Sequence, residues 1–288
     1  GNGVHFLSHK DQQVTRRFYH DVNDKEGIRS NSIYSLLIDD RGAVWVGHFQ
    51  AGLDYSLYQN GLFRTYDYPP LFNSANLSIR SFVNKGQEKV IGSRDGLFYI
   101  NEATGVVKSF VNPVLTSDLI LTICFYQGEY YIGTYGGGMM VLNPETLSLK
   151  YFAQGDTELF QKGHIFCVKP DAKGNLWIGT SQGLFSYNGQ TKQIKSFTSA
   201  NSQLPEGNVY EVSFDSTGKG WIATETGMCI YDPASQSLRS NVFPEGFVNK
   251  DKVRTIYEDA EHNLYFIREK GSLFTSTLTM DRFQNRSI

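Results

Sequence analysis

An excess of charge of either sign is missing from this sequence. Lys and Arg total 27 and Asp and Glu 29, a formal net charge of −2 at pH 7. No basic field therefore exists for a nucleic-acid backbone or an anionic membrane surface. No apolar run approaches the ~18–20 residues that span a bilayer, and the amino-terminal stretch lacks a charged segment followed by an apolar one. The 288 residues include only three cysteines. Cys124, Cys167 and Cys229 lie in the apolar segments LTICFY, HIFCVKP and GMCIY, with no CxxC spacing and no histidine in a zinc-ligand pattern. They read as buried, unreactive thiols. A Gly-x-Ser-x-Gly elbow is absent. The YGGG at 135–138 neither opens a helix nor carries a Lys-Ser/Thr pair, so it lacks the parts of a phosphate loop.

Aromatic residues are abundant, with 17 Tyr and 20 Phe, which suits pleated, half-buried strands. They fall into a pattern. GNLWIGTSQGLFSY (174–187) has counterparts in GAVWVGHFQAGLDY (42–55), QEKVIGSRDGLFYI (87–100), GEYYIGTYGGGMMV (128–141), GKGWIATETGMCIY (218–231) and HNLYFIREKGSLFT (262–275). With Gly47, Gly92, Gly133, Gly179, Ala223 and Ile267 aligned, the intervals are 45, 41, 46, 44 and 44 residues. Self-similarity at 40–45 residues is the mark of β-propeller blades, four-stranded units that cannot bury their own faces.

Residues 163–201 serve as a model blade. HIFCVKPD, NLWIGTS, GLFSYN and IKSFTS are short apolar runs separated by Gly/Asn/Asp turns, which predicts four antiparallel strands. An Asp stands three residues before a Gly in Asp39–Gly42, Asp171–Gly174 and Asp215–Gly218, where it can bond the turn's own amides while Gly supplies a positive φ. In the last copy Asp259 is kept and His262 replaces the Gly. Trp45, Trp177 and Trp221 share a slot with Val90, Tyr131 and Tyr265, which predicts packing between neighbouring sheets rather than a carbohydrate platform. The glycine after that slot predicts close approach of backbones. The repeated glycine at 52, 96, 138, 183, 227 and 271 predicts a turn between second and third strands.

Residues 3–21 read as a third and fourth strand with no first or second before them. The expected blades then span 31–68, 77–111, 117–153, 163–199, 207–243 and 252–288. The expectation is one all-β domain over 1–288, a propeller of four-stranded antiparallel blades. It is seven-bladed with about half a blade missing from this chain, or alternatively six-bladed with an extra hairpin docked outside.

Function is expected where the repeat stops repeating, because rigid scaffolds carry specificity on unlike loops. Those are the turns from second to third strand and the links between blades, including 69–76, 154–163, 201–207 and 244–251. The candidate ligand-binding residues are His48, Gln50, Arg94, Asp95, Tyr135, Gln182, Glu225, Arg268 and Lys270. The charged members, with Glu269, equally suit solvated loop charges or ion pairs, and Tyr135, Phe72, Phe160 and Phe247 equally suit capping of blade ends. His48 has no second His or carboxylate at metal-ligand spacing, so no metal and no cofactor are expected. Asp95, Glu225 and Glu269 could supply paired carboxylates for glycoside hydrolysis, but nothing in the sequence fixes a separation.

DAKGNLWIGTSQGLFSY and DDRGAVWVGHFQAGLDY, the latter preceded by NSIYSLLIDD, resemble the two-component regulator propeller repeat. The resemblance covers residues 3–288 and weakens at 84–100 and 252–278. It implies a periplasmic sensor region of a hybrid two-component system of glycan-degrading bacteria. The implied ligand is an oligosaccharide, and the implied partners are a neighbouring propeller and a β-sandwich, with a homodimer in the full receptor. Attachment to the membrane and to a histidine kinase would run through other segments. The repeat motif is structural, so no binding residue transfers with it. The alternatives are a propeller enzyme, such as a lyase similar to the streptogramin lyases, or a protein-interaction scaffold.

Overall fold

The computed structural model describes residues 3–8, 13–24, 26–57, 62–66, 77–152, 157–240, 252–259, 262–268, 273–277 and 283–286, the last two segments and residues 57, 157 and 268 as backbone only. The described chain is all-β apart from one helix, Thr157–Lys162. A two-stranded antiparallel sheet, Val4–Leu7 with Val14–Phe18, comes first. Six four-stranded sheets follow in chain order, each with its strands side by side in the order of the sequence.

The first of these comprises Ile33–Ile38, Ala43–His48, Leu53–Leu57 and Arg64–Thr65, and the second Ile79–Lys85, Glu88–Ser93, Leu97–Asn101 and Val106–Phe110. The third is Ile120–Tyr126, Glu129–Thr134, Met139–Asn143 and Ser148–Tyr151; the fourth is Ile165–Pro170, Asn175–Thr180, Gly183–Asn188 and Ile194–Phe197. The fifth is Val209–Phe214, Gly220–Thr224, Gly227–Asp232 and Ser237–Arg239, and the sixth Val253–Glu258, Asn263–Arg268, Leu273–Thr277 and Phe283–Arg286. The chain divides into two compact units, Gly1–Ile123 and Cys124–Ile288.

The tryptophan slot is buried in every copy that has one. Trp45, Trp177 and Trp221 are 3%, 1% and 1% exposed, which removes them as surface platforms. Each indole does more than pack. Its Nε1 donates to the aspartate of its own first hairpin: Trp45 to Asp39 at 3.0 Å, Trp177 to Asp171 at 2.9 Å and Trp221 to Asp215 at 2.8 Å. Tyr265 makes the same bond to Asp259 through its hydroxyl, at 2.9 Å. The other carboxylate oxygen takes turn amides, as when Asp171 Oδ1 accepts from Lys173 N at 2.9 Å and Asn175 N at 2.8 Å. Aspartate, turn and aromatic are thus one clamp. The second and third sheets use two-residue turns without the aspartate, and there the slot holds Val90 and Tyr131.

The left-handed turn position is real in the last copy too. His262 sits at φ 64°, beside 76°, 77° and 81° for Gly42, Gly174 and Gly218. Its Nδ1 meets Glu258 Oε1 at 2.8 Å. Gly179 answers the close-approach expectation, since a Cβ there would lie 2.8 Å from Val209 O on the next sheet's first strand. Successive sheets are also stitched by turn amides, Gly52 N to Leu77 O and Gly138 N to Gly163 O, both at 2.9 Å.

The link at 154–163 differs from a plain loop. Residues 157–162 are helical, with Leu159 and Phe160 fully buried in the core of the third and fourth sheets. Phe160 is therefore a core residue, packed against Phe152 and Phe185 at ring distances of 5.1 and 5.5 Å. Phe72 and Phe247 lie outside the described residues.

Candidate functional site

The turns from second to third strand are held by repeated bonds. A Ser or Thr at the end of the second strand bonds across the turn: Ser93 Oγ to Gly96 O at 3.1 Å, Thr134 Oγ1 to Gly138 O, Thr180 Oγ1 to Gly183 O and Thr224 Oγ1 to Gly227 O at 2.8–2.9 Å. In four of the sheets, including the first, where His48 stands in place of the Ser or Thr, the residue after that position donates its amide to the carbonyl just before the first strand. Phe49 N bonds Ser32 O, Arg94 N bonds Ser78 O, Ser181 N bonds His164 O and Glu225 N bonds Asn208 O. Each of these four turns therefore lies beside the beginning of its own sheet's first strand.

That beginning is irregular in a repeated way. The pairing of first with second strand slips by one residue between Ile33 and Ser35, Ile79 and Ser81, Ile165 and Cys167, Val209 and Glu211, and Val253 and Thr255. The residues in these β-bulges are Tyr34, Arg80, Phe166, Tyr210 and Arg254. A bulge adds one residue to a strand and re-aims its side chain, which is why bulges recur beside binding sites. The flanking Ile79, Ile165, Val209 and Val253 are buried at 2% or less. The bulge residues are partly or fully exposed.

In the second unit these residues form a continuous series. The Tyr135 ring, 50% exposed, stacks on His164 with centroids 4.0 Å apart and planes 23° apart. His164 leads to Phe166 at 6.2 Å, and Phe166 to Tyr210 at 5.1 Å edge to face. The guanidinium of Arg254 lies 4.5 Å from the Tyr210 centroid and the Lys252 ammonium 5.2 Å from it. Asn208 Nδ2 donates both to Tyr210 Oη at 3.1 Å and to Glu225 Oε2 at 2.9 Å. In the first unit the same positions give Arg80 over the Tyr34 ring at 4.7 Å, with Tyr34 against Phe49 at 5.2 Å.

The sequence-derived candidates are distributed as follows. Tyr135 and Glu225 belong to the series of the second unit. Gln182 is exposed on the Thr180–Gly183 turn, its amide bonded to Thr180 Oγ1 at 3.0 Å. Arg268 ends its strand opposite Val253, and Lys270 lies outside the described residues, as does Glu269. In the first unit Gln50 is exposed in a left-handed conformation, φ 54°. Arg94 and Asp95 are exposed on the next turn.

His48 has no exposed surface. Its Nε2 lies 2.8 Å from Asp54 Oδ2, and its Nδ1 3.1 Å from the carbonyl of Ser30. Asp54 also accepts from the Nε and the backbone N of Arg29, both at 2.9 Å. This buried network stands where other sheets have a Ser or Thr and an apolar partner such as Phe98 or Phe185. Among the described residues no group of three His, Cys, Asp or Glu side chains could hold a metal ion, and no helix is long and apolar enough to cross a membrane.

Sequence reasoning missed His164, Phe166, Tyr210, Arg254 and Lys252. The signal was present. Between an invariably apolar residue and a small or polar one, each first strand carries one position that changes character from copy to copy.

Two segments, residues 27–50 and 160–182, match the model of the two component regulator propeller. No curated protein matches the sequence. Among solved structures, the extracellular domain of a protein described as a hybrid two component system of B. thetaiotaomicron superposes with a TM-score of 0.79 at 21% identity, over 96% of this chain and 36% of that one. A second such domain from the same organism gives 0.60 at 17% identity, over 90% and 39%. PorZ, a surface component of the type-IX secretion system of Porphyromonas gingivalis, gives 0.62 at 15% identity, over 85% and 38%. This chain thus spans little more than a third of each of these structures, and at such identity the likeness establishes the fold alone. The fold is that of a β-propeller, built of four-stranded antiparallel blades. Two of its repeats, those within 27–50 and 160–182, are of the two-component regulator propeller type.

Proposed function

We propose that this chain is a non-catalytic, extracytoplasmic sensor module of a two-component receptor, and that it recognises an oligosaccharide on the aromatic series of its second unit. The repeat type and the kind of proteins that share the fold support the receptor context and the periplasmic location. In such a receptor, neighbouring propeller and sandwich modules, a dimeric arrangement and a histidine kinase would complete the path from ligand to output. Signalling requires the ligand to favour one arrangement of that receptor over another, since equal affinity shifts nothing.

One observation carries the ligand class. Tyr135 is half exposed and stacks on the face of His164, and the series continues through Phe166 to Tyr210. Sugar rings present flat C–H faces and many hydroxyls. They are matched by an aromatic face with amide and carboxylate groups on the same series, here Asn208 and Glu225. Hydrophobic platforms with a few placed polar groups are the usual composition of small-ligand sites.

The test is calorimetric titration of the chain with a panel of oligosaccharides, alongside Tyr135→Ala. Saturable binding without product, weakened about tenfold or more in Tyr135→Ala at unchanged melting temperature, supports the reading. Turnover of a bound saccharide would favour a lyase or hydrolase instead, and unchanged affinity in the variant would remove this series as the site.

A further inference from the structure

This inference rests on the sensor reading and adds a second site to it. The turns from first to second strand and from third to fourth strand lie at the end of each sheet opposite the second-to-third turns. At that end, sheets four and five of the second unit enclose a cavity of about 560 Å³, lined by both kinds of turn and by rings from between the sheets. The first unit shows how such a space is closed. Between sheets one and two, Tyr55 stands opposite Trp45 and stacks on it, with centroids 5.2 Å and planes 26° apart. Lys89, 3% exposed, reaches in from sheet two, its ammonium 5.9 Å from the centroids of Trp45 and Tyr66 and paired with Glu102. Glu102 in turn accepts from Tyr66 Oη at 3.0 Å.

None of these closing groups recurs in sheets four and five. Ser186 stands opposite Trp177. The residue before the slot is Gly220 where sheet two has Lys89, and the residue after the third strand is Pro233 where sheet two has Glu102. Phe214 takes part of the room, since a Cβ on Gly220 would lie 2.9 Å from its Cε1. The rest stays open. A phenol ring, an ammonium and a carboxylate are thus missing together from one and the same space.

The lining selects the guest. Trp177 is buried, but Tyr231, 4.5 Å from it edge to face, and Phe214 are half-buried. Two of the charged residues at the cavity are already held. Asp171 accepts from the amides of Lys173 and Asn175, the Asn175 side chain and the indole, and Lys195 donates to Gln236 O at 3.2 Å. Lys173 is exposed to solvent. The hydroxyls of Ser186 and Tyr231 and the side-chain amides of Gln193 and Gln236 meet no hydrogen-bond partner among the described residues. These groups are neutral, and together they donate and accept, as the hydroxyls of a sugar do. The volume falls within the ~300–1,000 Å³ of small-ligand sites.

We propose that the cavity between sheets four and five is a second saccharide site. It takes an uncharged sugar unit against Tyr231 and Phe214, with Ser186, Gln193 and Gln236 as hydrogen-bonding partners.

The experiment titrates the chain calorimetrically with cellobiose, maltose, mannobiose and xylobiose, and with the uronic-acid form of whichever binds. Ser186→Tyr puts the ring of Tyr55 back into the cavity, and Tyr231→Phe removes one hydroxyl. At least one neutral disaccharide should bind, about tenfold or more weaker in Ser186→Tyr and about threefold weaker in Tyr231→Phe, whether Tyr135 is present or replaced by Ala. The uronic-acid form should bind no more tightly. Circular dichroism checks each fold. Should Ser186→Tyr not fold, Gln236→Ala, whose side chain is exposed, takes its place with an expected loss of about threefold. Affinity unchanged in the cavity variants would overturn the proposal; if Tyr135→Ala abolished that binding, the sensor reading would stand on the aromatic series alone. Tighter binding of the uronic-acid form would overturn the uncharged assignment. Binding of no disaccharide would overturn the second site as well, and the sensor reading falls with it only if the oligosaccharide panel also stays unbound.

Discussion

If the tryptophan slot is a clamp, Trp221 and Asp215 must be thermodynamically coupled. Asp215 is 6% exposed and accepts four bonds: Thr217 N at 2.9 Å, Thr217 Oγ1 at 2.6 Å, Lys219 N at 3.0 Å and Trp221 Nε1 at 2.8 Å. Trp221→Phe keeps most of the ring in the core but deletes a hydrogen bond to a charged group, which contributes ~1.5–3 kcal/mol. The smaller ring adds a packing loss of about 1 kcal/mol. Asp215→Ala strips the acceptor from the indole and from the turn amides together, and should cost ~3–5 kcal/mol, since buried donors are left without partners. In the double variant the indole bond is lost only once, so the two losses should exceed the double-variant loss by ~1.5–3 kcal/mol. Urea unfolding of the four proteins, read from the transition of the unit containing both residues, measures this directly. Additivity within ~0.5 kcal/mol would show that the indole bond contributes nothing and that the slot selects large rings for packing alone.

Three further outcomes are expected. Burial alone would push the Asp39 carboxyl up, but bonds from Trp45, the Ala43 and Arg41 amides and the Arg41 guanidinium outweigh it and hold it below the usual carboxylate range. Its contribution to stability is therefore complete above the unfolded value of about 3.9 and is lost as pH falls through the lower folded value. Acid unfolding of Asp39→Asn should lack that part of the pH dependence, and superimposable acid limbs would count against it. Burial pushes the Cys124 thiol up to about 11, against the opposing charge of Lys169, and pushes Cys167 and Cys229 further up. A thiol reagent at pH 8 should thus label none of the three in the folded protein and all three in urea, and prompt labelling of the native chain would contradict their inert burial. Asp54→Ala leaves His48 and the Arg29 guanidinium without their shared acceptor, and should destabilise the first unit by ~3–5 kcal/mol, with Asp54→Asn milder. A first-unit transition unmoved by Asp54→Ala would mean that water replaces the carboxylate there.

The fold was legible because its determinants are local and repeat. A Gly that tolerates φ 132° at position 183, or 71° at 138, is forced by one turn and recurs wherever that turn recurs. The alternation of apolar residues in HIFCVKPD or NLWIGTS follows the pleat. Less visible was the second role of aspartate. Its place in the turn could be read three residues away, whereas its bond to an aromatic six residues on depends on how the hairpin closes. The site was only partly legible. Tyr135 and Glu225 stood out because the turns that hold them differ between copies. Phe166, Tyr210 and Arg254 sit inside strands whose pattern reads as core, and only the slip in register turns them outward. His48 misled for the opposite reason: it occupies an unlike turn position, but Asp54, hidden in a slot that elsewhere holds Phe, Met or Cys, draws it inside.

The bulges have a consequence for how such a chain can change. A residue that is supernumerary in its ladder can be exchanged without disturbing the registered pairs on either side. Positions 34, 80, 166, 210 and 254 therefore form a small alphabet that can be rewritten one letter at a time. New preferences could arise there by single substitutions that leave the clamps intact, so relatives with nearly identical frames could answer to quite different molecules.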